Sequence, residues 1–181
     1  MKDCAIIVTG NIASGKSSFC ERLSDALPHY AYLNLDRARV NMSIDFEQLN
    51  GMLRERLAEQ EVSRQVAAYD QIIYESSGVS RYAERTISRI AELGFEIIRI
   101  HLSCPIDVCK RRYLNRLATG HRVPMPYKAR PIQQALEDFA AKQERLGYEF
   151  TYPSNLLDPD QIVERFFRDW LKLEQDRFNA L

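Results

Sequence analysis

Cys4 to Thr9 is a short apolar run that stops at Gly10, the pattern of a strand covered on both faces. Behind it Phe19, Leu23 and Leu27 recur at i, i+4 and i+8, which predicts a helix from Lys16 to Leu27 stopped by Pro28. Tyr30 to Leu35 alternates and is rich in strand formers, so a second strand is predicted there, ending at Asp36. From about Arg37 to Tyr69 the spacing turns helical, with Phe46, Leu49, Met52, Leu53 and Leu57 on one face and a break before Asp45. Gln71 to Glu75 is a third strand, and a helix from about Val79 to Leu93 follows, ended by Gly94. Phe95 to Leu102 is a fourth strand, and Pro105 sits where the first turn of another helix begins. Arg116 to Arg130 holds Gly120, Pro124 and Pro126 among basic residues and reads as a loop. Pro131 opens a helix to about Leu146, Glu149 to Tyr152 is a fifth short strand, and Asp160 to Leu173 is a final amphipathic helix. In that helix Phe166, Phe167 and Trp170 could stack on nucleic-acid bases. They share helical spacing with Ile162, Val163 and Leu171, which favours core packing.

Strands alternating with helices predict an α/β fold of three layers: a five-stranded parallel sheet with helices on both faces. Residues 1–181 suit a single domain and are too few for a second catalytic one. Ligands of such sheets bind outside the carboxyl ends of the strands, which directs attention to Gly10, Asp36, Glu75 and Ser103.

Gly10 to Ser17 reads GNIASGKS and matches the phosphate-binding loop pattern GxxxxGK[ST] without a departure, in the required place between a strand and a helix. Gly10 and Gly15 let the backbone of Asn11, Ile12, Ala13 and Ser14 turn its N–H groups inward, while the helix start at Lys16, Ser17 and Ser18 adds its positive dipole end. Lys16 supplies a point charge for the β and γ phosphates, and the Ser17 hydroxyl is placed to ligate Mg2+. ATP and Mg2+ are therefore the expected ligands. Asp36 can accept the proton of an attacking hydroxyl, and Arg39, one helical turn on, can grip a phosphate. The alternative is a helix-capping aspartate followed by a solvated arginine. Glu75, which ends the third strand, reads as a helix-capping or loop carboxylate, and a resemblance to phosphate-binding-loop kinases implies instead that it organises the Mg2+ shell through water. Ser76 could touch the acceptor or form the turn before Gly78, and Arg81 and Arg85 could line an acceptor groove or lie solvated on a helix.

These motifs together resemble the phosphate-binding-loop kinases of the polynucleotide 5'-kinase family: GNIASGKS, then Asp36-Arg37-Ala38-Arg39 (DxxR), then an arginine-rich segment after the fourth strand. The resemblance runs from Cys4 to about Trp170. It implies transfer of the ATP γ-phosphoryl group to the 5'-OH end of RNA or DNA, with Asp36 as general base and Arg39 holding the phosphate beside the acceptor nucleoside. A separate phosphatase or ligase partner could act alongside. It also implies a lid at about residues 111–130, in which Arg116 lies nearest the β and γ phosphates and Arg112 and Arg122 come next. A small-molecule kinase of similar architecture, with a nucleoside, sugar, antibiotic or nucleotide-sugar as acceptor, is the alternative. A nucleotide switch without an acceptor is a third reading, and the NKxD element typical of switch GTPases is missing from the sequence.

Charge sharpens this picture. Lys plus Arg and Asp plus Glu both number 25, so the formal net charge is zero. Between Arg99 and Arg130, however, eight basic residues face Asp107 alone, a local surplus of +7. Such a distribution suits a grip on one or two terminal phosphates rather than the coating of a polynucleotide. The longest apolar runs fall far short of the roughly 20 residues a membrane span needs. The start MKDCAIIVTG lacks the marks of a signal peptide, so a cytoplasmic protein without a membrane partner is expected. In that setting Cys4, Cys20, Cys104 and Cys109 are read as small buried residues. His29, His101 and His121 are scattered and form no metal-ligand set.

Overall fold

A computed structural model describes residues 3–41, 51–119 and 131–180; side chains are described at 3–38, 56–119 and 131–180. Five strands, β1 (Cys4–Gly10), β2 (Ala31–Asn34), β3 (Gln71–Glu75), β4 (Glu96–Ser103) and β5 (Phe150–Pro153), form one parallel sheet in the order β2-β3-β1-β4-β5. Parallel neighbours require crossovers, and these are supplied by α1 (Lys16–Ala26), α2 (Leu35–Asn41), α3 (Gly51–Ala68), α4 (Arg81–Glu92), α5 (Ile106–Ala118), α6 (Ile132–Gln143) and α7 (Pro159–Asn179). The result is the expected three-layer α/β fold.

All seven residues of β1 are buried, as a central strand covered on both faces demands. Its alternate side chains feed two cores. Ile6 and Val8 meet Phe19, Cys20 and Leu23 of α1 and Ile162, Val163 and Phe166 of α7. Ala5 and Ile7 meet Ala58, Val62 and Val66 of α3 and Ile90 of α4. Because α1 and α4 lie on opposite faces, the loops leaving the adjacent strands β1 and β3 diverge, and they open a crevice at the carboxyl edge between them.

Several boundaries differ from the sequence expectation, each for a local reason. The second strand stops at Asn34, because the Asn34 carboxamide oxygen accepts the Arg37 backbone N–H at 2.6 Å and caps a helix that already contains Leu35 and Asp36. Asp36 therefore lies in the first turn of α2, and the capping role considered for it belongs to Asn34. The predicted helix over Arg37 to Tyr69 is two helices, α2 and α3; Phe46 and Leu49 lie outside the described residues. Among the described side chains of α3, the buried stripe is Ala58, Val62 and Val66, with Leu57 half-buried beside it. The loop expected from Arg116 begins later, since α5 continues to Ala118 and carries Arg116 in its last turn. The rest of the expected lid, residues 120–130 with Arg122, lies outside the described residues. Helix α7 runs to Asn179 from a capping box in which Asp158 and Gln161 exchange hydrogen bonds.

The aromatic cluster of α7 is structural. Phe166 is fully buried, stacks against Trp170 at 5.3 Å between ring centroids and meets Phe150 of β5 edge-on at 5.7 Å. Truncating Phe166 to Ala is expected to cost about 3–5 kcal/mol in urea unfolding. A loss below about 1 kcal/mol would mean that the ring is free for another use.

Candidate active site

The loop between β1 and α1 is wound tightly by contacts from several elements. A Cβ at Gly10 would lie 2.7 Å from both the Leu102 carbonyl oxygen and Ser14 Oγ, so no side chain fits where β1 meets β4. Gly15 has φ +94° and Ala13 has φ +58°, left-handed values that wind the loop tightly, with the Ser14 N–H donating to the Asn11 carbonyl at 3.2 Å. Two outside groups hold this shape. Asn11 Nδ2 donates to the Leu136 carbonyl of α6 at 2.9 Å, and Ser154 Oγ, after β5, donates to the Ser14 carbonyl at 2.5 Å. Lys16 Nζ donates to the Asn11 carbonyl at 2.7 Å. Burial pushes the Lys16 ammonium pKa down, against the pull of the Glu75 carboxylate.

Glu75 is the acidic centre of the edge. Ser17 Oγ donates to Glu75 Oε1 at 2.8 Å, while Asn34 Nδ2 donates to Oε2 at 2.9 Å and the Tyr32 hydroxyl donates to the same oxygen. Pairing of β2 with β3 sets Asn34 opposite Glu75 and so builds this clamp. Burial, followed by the negative charge of Glu75, raises the Tyr32 phenol pKa far above its usual value, so the phenol stays a proton donor. A serine hydroxyl and an oriented carboxylate are hard oxygen donors, the donor type that suits a magnesium ion. Glu75 does not cap α4, because Ser80 accepts the Ala83 N–H in that role.

The remaining expected residues separate into two groups. Arg112 is half-buried against the phosphate loop: its Nη1 would lie 3.9 Å from a Cβ at Gly15, and its Nη2 donates to the Ser154 carbonyl at 3.1 Å. Arg116, one turn further on α5, is half-buried and close enough that its charge contributes to lowering the Lys16 pKa. Asp36 is exposed at the start of α2, next to the edge of Asn34 and Glu75, and Arg39 follows one turn later in the same helix. Arg85 and Arg81 are not brought to this cluster by any described contact. Arg85 makes a two-point ion pair with Glu59 of α3, both contacts at 2.6 Å, and joins α3 to α4. Arg81 lies over the Tyr82 ring, 5.0 Å from its centroid. The Ser76 hydroxyl accepts the Gly78 N–H at 3.0 Å, the turn-forming role.

Sequence reasoning missed Tyr32, Asn34, Gln143 and Ser154. Gln143 Nε2 donates to the Ser77 carbonyl at 2.7 Å and anchors the loop after β3 to α6. Asn34 gave one signal, an amide at a strand end beside a helix start; the others act through contacts between distant segments. Among the described residues no group of three or more His, Cys, Asp or Glu could hold a metal, and no helix is long and apolar enough to cross a membrane.

Removing the Glu75 carboxylate leaves three donors without their acceptor. Glu75→Ala is expected to lower stability by about 1–3 kcal/mol in chemical denaturation, and Glu75→Gln to lose less. Equal losses for both variants would contradict the clamp.

No curated protein sequence matches the chain. Among solved structures, shikimate kinase from Acinetobacter baumannii superposes with a TM-score of 0.65 at 15% identity, covering 93% of each chain. A gluconokinase from Sinorhizobium meliloti gives 0.59 at 18% identity, covering 98% of this chain and 97% of that one. The Pnkp1/Rnl/Hen1 RNA repair complex gives 0.64 at 18% identity, covering 81% of this chain but 47% of that one. At these identities the likeness is one of fold, the phosphate-binding-loop α/β fold of these kinases. The model of the AAA_33 family, described as an AAA domain, matches residues 6–144, and the chain belongs to that family.

Proposed function

We propose that this single-domain protein is an ATP-dependent phosphotransferase that passes the γ-phosphoryl group of ATP to a hydroxyl of a small polar acceptor. The observation that carries this reading is the Ser17 to Glu75 hydrogen bond beside the half-buried Lys16, at the crevice between β1 and β3. In this reading residues 10–18 cradle the phosphates, Lys16 exchanges the Asn11 carbonyl for phosphate oxygens, and Arg116 and Arg112 face the charge that spreads over the transferring group. Magnesium held by Ser17, and through water by Glu75, neutralises phosphate charge when bound. Asp36 takes the proton of the acceptor hydroxyl. The acceptor oxygen bonds to the γ phosphorus as the bond from that phosphorus to its bridging oxygen breaks, and ADP leaves.

The small acceptor is favoured by the ion pair of Arg85 with Glu59, which occupies an arginine that a phosphate-bearing acceptor would otherwise use. Neutral polar groups gather beside the Ser76 to Gly78 turn: Thr9 against Gly78, His101 Nδ1 3.4 Å from Thr9 Oγ1, and Tyr148 stacked on His101 at 4.7 Å. A 5'-OH end of RNA or DNA is the second reading, supported by Asp36 and Arg39 standing one turn apart on α2. A phosphatase or ligase partner would belong to that reading.

A transfer assay with γ-labelled ATP against sugars, polyols, nucleosides and 5'-OH oligonucleotides separates the two. Labelling of a sugar or polyol with kcat/KM above that of any oligonucleotide is expected, and the reverse order would select the second reading. Asp36→Ala is expected to lower kcat about 10²–10⁴-fold with ATP binding retained; unchanged kcat would remove the base from Asp36. Under the small-acceptor reading Arg39→Ala leaves acceptor KM unchanged, and a tenfold rise would speak for a phosphate beside the acceptor hydroxyl.

A further inference from the structure

We propose that Cys104 is a site of reversible thiol oxidation by peroxides, resolved by Cys109 and linked to nucleotide occupancy through Arg112. Strand β4 ends at Ser103, so Cys104 arrives at the same carboxyl edge as the phosphate loop, and it is only half-buried. Pro105 caps α5, which puts Cys104 just before the cap and Cys109 four residues into the helix, positions whose side chains pack together. The buried Cys109 Sγ donates to the Cys104 carbonyl oxygen at 3.8 Å, which sets the two cysteines side by side at the start of α5.

Arg112 completes the cluster. Its Nη1 donates to Cys104 Sγ at 3.7 Å while Nη2 is fixed on the Ser154 carbonyl, and Ser154 is itself bound to Ser14 of the phosphate loop. The hydrogen bond from Cys109 first, then the Arg112 guanidinium, hold the Cys104 thiol pKa down at about 6, against its partial burial and the nearby Asp107. Cys109 is pushed up by its bond to Cys104 and by burial, with Lys16 and Arg112 pulling the other way, so it stays a thiol. Cys4 and Cys20, both buried, are raised as well, chiefly by burial. One cysteine of the four combines access with a stabilised thiolate.

The chemistry balances with a peroxide as oxidant. The Cys104 thiolate attacks one peroxide oxygen, the O–O bond breaks, and a sulfenic acid forms with release of hydroxide. The Cys109 thiol attacks that sulfur, the S–O bond breaks, and water leaves as the disulfide forms. Two thiols have then given two electrons to reduce hydrogen peroxide to two waters, and an external dithiol reverses the change. Phosphates that draw Arg112 off the sulfur remove a cation that favours the thiolate, so nucleotide binding slows the reaction, and oxidation alters nucleotide binding in return.

The test labels the full chain with iodoacetamide and reads each cysteine by peptide mass spectrometry, a readout independent of any acceptor. Cys104 is expected to react fastest, with its rate half-maximal near pH 6. Arg112→Ala is expected to slow it about tenfold at that pH. Mg2+ with ATP is expected to protect Cys104 in the wild type and to protect it much less in Arg112→Ala. Peroxide is expected to give the Cys104–Cys109 disulfide, and Cys109→Ala a sulfenic acid that dimedone traps. Labelling of Cys104 no faster than of Cys20, equal protection in both proteins, or no disulfide after peroxide would overturn the proposal.

Discussion

At the end of β1 there is no room for even a methyl group, and the carboxyl edge of the sheet is arranged around that constraint. Gly10 lies against the Leu102 carbonyl of the neighbouring strand and against Ser14 of its own loop, so the chain must turn there. The turn gives α1 its start at Lys16, sends the Lys16 side chain back across the loop, and places Ser17 over the end of β3. Asn11, Ser154 and the α6 backbone hold the loop in that form, with Ala13 kept at a positive φ. Backbone of this kind persists only where its surroundings over-determine it.

Parallel pairing then fixes what faces the loop. Val8 pairs with Glu75 and Asn34 with the same residue, so the edge of β2, β3 and β1 is one row of aligned strand ends. Glu75 gathers Ser17, Asn34 and Tyr32 from three separate segments around one carboxylate. On the other side, the α5 arginines stand near the loop, so part of the positive surplus of an electrically neutral chain is local to the candidate phosphate site. The charges of Glu75 and Arg116 both act on Lys16 there, in opposite directions.

Much of this was legible in the sequence, and the rest failed for identifiable reasons. The phosphate loop could be read because its glycines, lysine and serine are consecutive, and β3 because Gln71 to Glu75 is a short apolar run with polar ends. The end of β2 was misread because Asn34 looks like one more polar position in an alternating strand, whereas its side chain folds back to cap α2. The core stripe of α3 was missed because Ala58, Val62 and Val66 close to the sheet stand out less in the sequence than the larger apolar residues that precede them. Arg85 looked available because nothing local shows that Glu59, 26 residues earlier, would meet it. The clamp on Glu75 depends on strand register, which a single chain pattern does not display.

The central claim is that the edge built on Gly10 is a magnesium-nucleotide site. Calorimetric titration of the chain with ATP, with and without Mg2+, tests it most directly. Binding that strengthens when Mg2+ is present, and that weakens at least tenfold in Lys16→Met, is the expected result. Binding that ignores Mg2+ or survives the loss of the Lys16 ammonium would contradict it.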